Sequence, residues 1–314
     1  MNKNIFIPFA SFLALSTLPL HATVKYPYAP YGEGKLDPQP SGWPLTEAER
    51  AYVLKPEFPT RKPGSEVSMN LPAMWPVTPT AGYRGTNNKE GDTGWLDIHT
   101  KLLDAVQSAK NSTDLLLLGD SITELMGGSV IEGKPFCKPW LDRFGSLKTA
   151  NAGLSGDRVE GVLWRLEHGL VDGAKPKVIV LMIGVNNAPL VTPCGVPAIA
   201  VAQGIQLIVQ NLRERCPSSE LVVVKVLPAF EPYGATYKDI VAINKELEGL
   251  KLGSDPRVHV IDLSKGYLNA DGSLKAELYS DKHLHLNDAG YEVYASGLKP
   301  LLDNLLGSVT PEKR

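Results

Sequence analysis

Ser121 stands in the run Gly119-Asp120-Ser121-Ile122, directly after the apolar stretch Leu115-Leu116-Leu117-Leu118. A serine hydroxyl is a weak nucleophile and needs a base within reach. Beyond His21 the chain offers five histidines: His99, His168, His259, His283 and His285. His99 and His168 fall in helical patterns, and His259 falls in a strand pattern. His283 and His285 share the loop Ser280-Asp281-Lys282-His283-Leu284-His285-Leu286-Asn287, ahead of the last helical stretch. Asp281 can orient an imidazole there. A serine early in the chain and an Asp–His pair late in it is a workable order for Ser-His-Asp acyl transfer.

Acyl transfer through a serine also needs donors for a developing oxyanion. Ser121-Ile122-Thr123-Glu124 has the spacing of a capping box, with Ser121 as N-cap and Glu124 three residues on. One reading of Ser121 is therefore that of a helix cap and nothing more. As a nucleophile, its N–H would face a helix N-terminus, where the dipole favours negative charge. Asn186, in Gly184-Val185-Asn186-Asn187, follows another apolar run and can donate from its side-chain amide or simply form a turn. Gly156, in Gly153-Leu154-Ser155-Gly156-Asp157, can bring a bare N–H close to substrate or merely lead a turn into a helix.

The elements that must position these residues alternate from Ile98 on. Short apolar strands are expected at 115–118, 177–183, 220–227 and 258–261, with a fainter one at 148–151. Helical patterns cover 98–110, 157–168, 198–215, 236–251 and 287–306. Continuous apolar strands separated by helices indicate a parallel sheet covered on both faces. The expected fold is an α/β/α sandwich of about five parallel strands in flavodoxin-like order, with its site at the carboxyl ends of the strands.

The chain has 314 residues, 43% hydrophobic and 21% charged, with a formal net charge of −2. That balance gives no basic footprint for nucleic acid or an anionic membrane. Residues 1–22 read as a signal peptide, with Lys3, an apolar stretch from Ile5 to Leu20 and small Ala22 at the junction. Export to a periplasm or beyond is expected, with no membrane span after cleavage. Residues 23–97 hold 11 of the 25 prolines and three of the five tryptophans, Trp43, Trp75 and Trp95. They read as an extension that wraps the main domain or walls its site. Residues 98–308 form the main domain, and 309–314 a tail. The three cysteines are Cys137, Cys194 and Cys216. A helix of about 30 Å separates Cys194 from Cys216, too far for a bond. Cys137 and Cys194 follow segments that end on one face of the sheet, so a bridge between them is an expectation that export permits.

Four blocks in order resemble the SGNH (GDSL) hydrolase family: LLLLGDSIT at Ser121, NAGLSGDRVEGVLWRL from Asn151 to Leu166, IGVNNA from Ile183 to Ala188, and HLNDAGY from His285 to Tyr291. Within it they resemble the platelet-activating-factor acetylhydrolase catalytic-subunit branch, over about residues 95–306. The resemblance implies Ser121 as nucleophile, the N–H groups of Ser121 and Gly156 with the Asn186 amide as oxyanion hole, and His285 as general base. It implies a cofactor-free, two-step ester hydrolysis. The family's acid lies three residues before its histidine, where this chain has Lys282. Asp281 stands four before, so the loop carries one extra residue. Either a bulged loop brings Asp281 to the imidazole, or a backbone carbonyl holds the ring. His283 is the alternative base.

The substrate expected is a small-molecule or glycan ester, foremost an acetyl ester of a carbohydrate. A lipid ester and a non-catalytic glycan-binding protein are the alternatives. Gly128-Ser129-Val130-Ile131-Glu132-Gly133-Lys134 has P-loop spacing, but Pro135 replaces the required Ser or Thr and no strand leads into it. Asp281, His283 and His285 lack the ligand pattern of a catalytic zinc site. Asp157-Arg158 and Trp164-Arg165 match family positions and are read as structural.

Overall fold

The computed structural model describes residues 94–109, 112–131, 133–189, 191, 196–230, 235–281 and 283–307. The expected signal peptide, nearly all of the 23–97 extension, and the C-terminal tail lie outside these residues.

Five strands form one parallel sheet: β1 (Leu115–Gly119), β2 (Thr149–Gly153), β3 (Val178–Met182), β4 (Glu220–Val224) and β5 (Val258–Ile261). The spatial order is β2-β1-β3-β4-β5, the flavodoxin-like order. Every residue of β1 and β3 is buried. Unbroken leucine, valine and isoleucine runs suit strands covered on both faces, because both side-chain directions then meet apolar neighbours. The cover comes from α1 (Gly94–Ser108), α4 (Val159–Glu167), α5 (Ala198–Arg215), α6 (Ala235–Gly249) and α7 (Asp288–Gly307). These match the five helical patterns read from the sequence to within a few residues at each end.

Two further helices connect the strands near the site: α2 (Ser121–Glu124), a single turn, and α3 (Lys138–Phe144). The sequence reading passes over α3. Its signals are Pro139 in the first turn and the buried pair Trp140 and Phe144 at i,i+4 spacing. α3 packs against α7, and Arg143 forms a two-pronged ion pair with Glu292.

β2 ends two residues beyond its expected span, so that Gly153 pairs with Gly119. Both positions need glycine for close approach. A Cβ on Gly119 would lie 2.3 Å from the Met182 carbonyl oxygen, and one on Gly153 would lie 2.5 Å from the Glu124 nitrogen. The two glycines let the turn that carries Ser121 settle onto the ends of β1, β2 and β3.

Cys137 is a free thiol at the head of α3. The expected bridge from Cys137 involves Cys194, which lies outside the described residues. Cys137 serves as N-cap residue of α3, half-buried beside the core. Cys216 is also free and buried, with its thiol pointing to the Ala174 carbonyl at 3.6 Å. Among the described residues no helix is long and apolar enough to cross a membrane.

Candidate active site

Ser121 follows the last residue of β1 by two positions and is buried. The expected capping box does not form with Ser121 as its cap. Asp120 is the N-cap residue, and its carboxylate accepts from the Ile122 N–H at 3.0 Å. Ser121 is the first helical residue. Glu124 turns away from the helix start and accepts from the Ser155 N–H at 2.6 Å. The physical reason is that aspartate is as good an N-cap as serine. With Asp120 in that role, the Ser121 hydroxyl is left for another partner.

That partner is His285. Its Nε2 lies 3.0 Å from Ser121 Oγ, across 164 residues of sequence. Its Nδ1 lies 2.6 Å from Asp281 Oδ2, and its backbone N–H donates to Asp281 Oδ1 at 2.8 Å. The extra residue in the loop is taken up by a turn. The Leu284 N–H donates to the Asp281 carbonyl at 3.0 Å, and His283 adopts a left-handed φ of 55°. His283 is thereby directed away from the role of base. Its carbonyl accepts from the N–H of Phe230 at 2.7 Å, and its ring packs edge-on to Tyr279.

The carboxylate of Asp281 is suited to its position. Partial burial disfavours its charge, but hydrogen bonds from the His285 and Leu284 N–H groups and from the imidazole outweigh this and hold it below the usual carboxylate range. Asp120 is in the opposite condition. Full burial, reinforced by the nearby charge of Asp157, pushes its carboxyl up to about 7 against the pull of the Ile122 N–H. A hydroxyl, an imidazole and a carboxylate linked in this order can pass the serine proton to Nε2 while the carboxylate fixes the tautomer.

The other two predicted residues converge on the same end of the sheet. Gly156 takes a φ of 76° in the turn after β2. Asn186 follows β3, and its side-chain amide donates to the Asp157 carbonyl at 2.8 Å. A primary amide carries two N–H groups, so this bond engages one and leaves the other direction open. Ser121 heads a helix, where a first-turn N–H has no intrahelical acceptor. The helix is only four residues long, so that direct N–H, rather than a macrodipole, is what α2 contributes.

Two supporting residues escape a motif reading. Asn187 is buried and accepts from the Val159 N–H at 3.1 Å while donating to Glu160 at 2.9 Å. It caps α4 from a different loop, since Arg158 at the N-cap gives no side-chain cap. Tyr291 on α7 donates its hydroxyl to the Ile122 carbonyl at 2.9 Å, tying the histidine-bearing loop and helix to the serine turn. The only sequence signal for either is its place within a matching block. His99, His168 and His259 play no part here. His99 and His168 pack on Trp164, and His259 pairs with Glu220 at 2.9 Å. The 128–134 loop closes on itself through Gly128 N–H to Lys134 carbonyl at 2.8 Å, unlike a phosphate cradle.

The chain matches the GDSL-like Lipase/Acylhydrolase family over residues 117–293. It belongs to that family. It is 31% identical over 217 residues to the Homo sapiens platelet-activating factor acetylhydrolase IB subunit alpha1, covering 69% of this chain and 86% of the relative. It is 30% identical over 236 residues to the Mus musculus alpha2 subunit, covering 75% and 95%. Among solved structures, a Streptococcus pneumonia protein whose description refers to platelet activating factor superposes with a TM-score of 0.53 at 26% identity, covering 66% of this chain and 92% of that one. A GDSL-like lipase from Bacteroides thetaiotaomicron shares the fold, with a TM-score of 0.50 at 15% identity, covering 66% and 98%. This GDSL family member is an α/β carboxylic ester hydrolase.

Proposed function

We propose that the protein is an exported serine esterase that removes acetyl groups, with O-acetylated carbohydrate as its substrate class. The observation that carries the mechanism is the continuous Asp281–His285–Ser121 relay, with Nε2 at 3.0 Å from Oγ. His285 Nε2 takes the Ser121 proton as Oγ attacks the ester carbonyl carbon. The N–H groups of Ser121 and Gly156 and the amide of Asn186 hold the oxyanion. The carbonyl reforms, the C–O bond to the alcohol breaks, and the departing oxygen takes the proton from Nε2. Water then gives a proton to Nε2 and attacks the acetyl-Ser121 carbonyl. Acetate leaves, and Oγ recovers its proton. Each step is balanced without a cofactor.

Acetyl as the acyl group is supported by the relatives, which are named acetylhydrolases. Carbohydrate as the acceptor is supported by the signal-like N-terminus and by Trp43, Trp75 and Trp95, whose aromatic type stacks well on sugar faces. The relatives' name also favours a second reading, an acetylated lipid. Acetate release from acetylated glycans is compared with release from platelet-activating factor, and p-nitrophenyl acetate with p-nitrophenyl decanoate. Acetyl preference with release from glycan supports the proposal. Preference for the decanoate overturns the acetyl assignment, and release only from the lipid overturns the carbohydrate assignment. Ser121→Ala hydrolysing as fast as wild type would overturn the mechanism.

A further inference from the structure

Asp157 and Arg165 form an ion pair, Nη2 to Oδ2 2.6 Å, with both side chains wholly buried. Desolvation offsets much of the attraction in such a pair, and apolar replacements are often neutral for stability. The remaining contacts of the guanidinium are therefore the informative ones. Arg165 lies on α4. Its Nη1 donates to the Ala152 carbonyl at 2.7 Å, and its Nη2 reaches the Gly119 carbonyl at 3.4 Å.

Each contact lands on a segment that carries one of the proposed oxyanion donors. Gly119 ends β1, two residues before Ser121. Ala152 lies in β2, whose chain continues through Gly153, Leu154 and Ser155 to Gly156. Asp157 follows Gly156 directly, and its carbonyl holds the Asn186 amide at 2.8 Å. One planar, rigid fork thus touches the Ser121 and Gly156 segments directly and reaches the Asn186 loop through Asp157, a task that the single ammonium of lysine cannot reproduce.

We infer that Arg165, paired with Asp157, is a positioning residue that fixes the mutual geometry of the three oxyanion donors. The inference rests on the acyl-transfer reading above. Arg165 acts apart from the proton relay, which is held by Asp281 and by the Tyr291 bond to Ile122. Preorganised donors stabilise charge because they need not reorganise during the reaction. A misplacement of about 1 Å caused by a distant residue can cost roughly 10²-fold in rate.

The test compares Asp157→Asn/Arg165→Met, Arg165→Lys, Ser121→Ala and wild type on p-nitrophenyl acetate. The double variant removes both buried charges together and keeps similar volumes. Values of kcat are taken per serine labelled by a fluorophosphonate, so misfolded molecules are not counted. The expected result is a kcat lowered about 10²-fold in the double variant, the size of one lost preorganised donor. KM and the pH midpoint of kcat/KM stay at wild-type values, and Arg165→Lys falls between. A merely structural role would lower the melting temperature and the labelled fraction, but not kcat per labelled serine.

A folded double variant with wild-type kcat overturns the inference, as does a loss expressed in KM or in the pH midpoint. If the double variant does not fold, Arg165→Lys decides by the same criteria. An inactive Ser121→Ala beside a fully active double variant removes this inference alone. An active Ser121→Ala removes the acyl-transfer reading and the inference with it.

Discussion

Asp281→Asn keeps the shape of the side chain and removes its charge. Both carboxylate oxygens are committed to one residue: Oδ1 to the His285 backbone N–H at 2.8 Å, and Oδ2 to Nδ1 at 2.6 Å. An amide has one acceptor oxygen and can serve only one of these sites. If the oxygen stays with the backbone N–H, the NH2 group faces Nδ1. Nδ1 must then accept, and the ring proton moves to Nε2. That tautomer cannot take the Ser121 proton. If the amide flips, the tautomer survives but two donors meet at the His285 backbone, and the turn loosens. A hydrogen bond to a charged group contributes roughly 1.5–3 kcal/mol. At about 1.4 kcal/mol per tenfold in rate, kcat falls roughly 10- to 100-fold. This is smaller than the roughly 10⁴-fold loss known for a buried triad aspartate. The Asp281 side chain is 49% exposed, so water screens and shares its task. Asp281→Ala admits water, which can accept from Nδ1, so the Asn variant is expected to be at least as impaired as the Ala variant. The assay is kcat on p-nitrophenyl acetate for all three proteins, with thermal melts as the control for folding. An Asn variant with wild-type kcat, or one clearly more active than Ala, would refute the reasoning.

Asp120→Asn keeps an acceptor for the Ile122 N–H and removes a carboxyl whose value in the folded protein, about 7, lies above the ordinary one. An acid raised in this way is most compatible with the fold when protonated. Wild-type stability should therefore fall, by a few kcal/mol at most, as pH rises from about 4 to about 7. The variant should melt higher than wild type at alkaline pH and together with it near pH ~4; an identical gap at both would contradict the assignment. Tyr291→Phe strands the buried Ile122 carbonyl and cuts the bond between α7 and the serine turn. It should cost about 1–3 kcal/mol of stability by denaturant titration and lower kcat with little change in KM. A fully active variant would show that the Ser121–His285 distance is set elsewhere.

The sheet was legible in the sequence because a strand buried on both faces must be apolar at every position, and that is a local property. The central strands β1, β3 and β4 and the five longer helices follow from such local patterns, whereas the edge strands β2 and β5 are only partly buried and carry polar residues. α3 was not legible, because its apolar residues are few and its signal is Pro139 with one aromatic pair. Ser121 was legible as a residue at the end of an apolar strand, and His285 by elimination among few histidines and by its block. Which residue caps α2 was not, because Asp120 and Ser121 are both good N-caps and only the fold shows which oxygen faces the Ile122 N–H.

The sequence by itself determined which residue types are available and which strand ends carry them. Tertiary structure alone decided the contacts that make them a site. The extra residue before His285 left Asp281 open as its partner, and a turn through His283 at a left-handed φ closes the gap. Asn187, Arg165 and Tyr291 act on partners 28, 46 and 169 residues away. Such pairings leave no periodic trace, because a hydrogen bond depends on separation and direction in space, and residue spacing along the chain constrains neither once the chain has crossed a sheet.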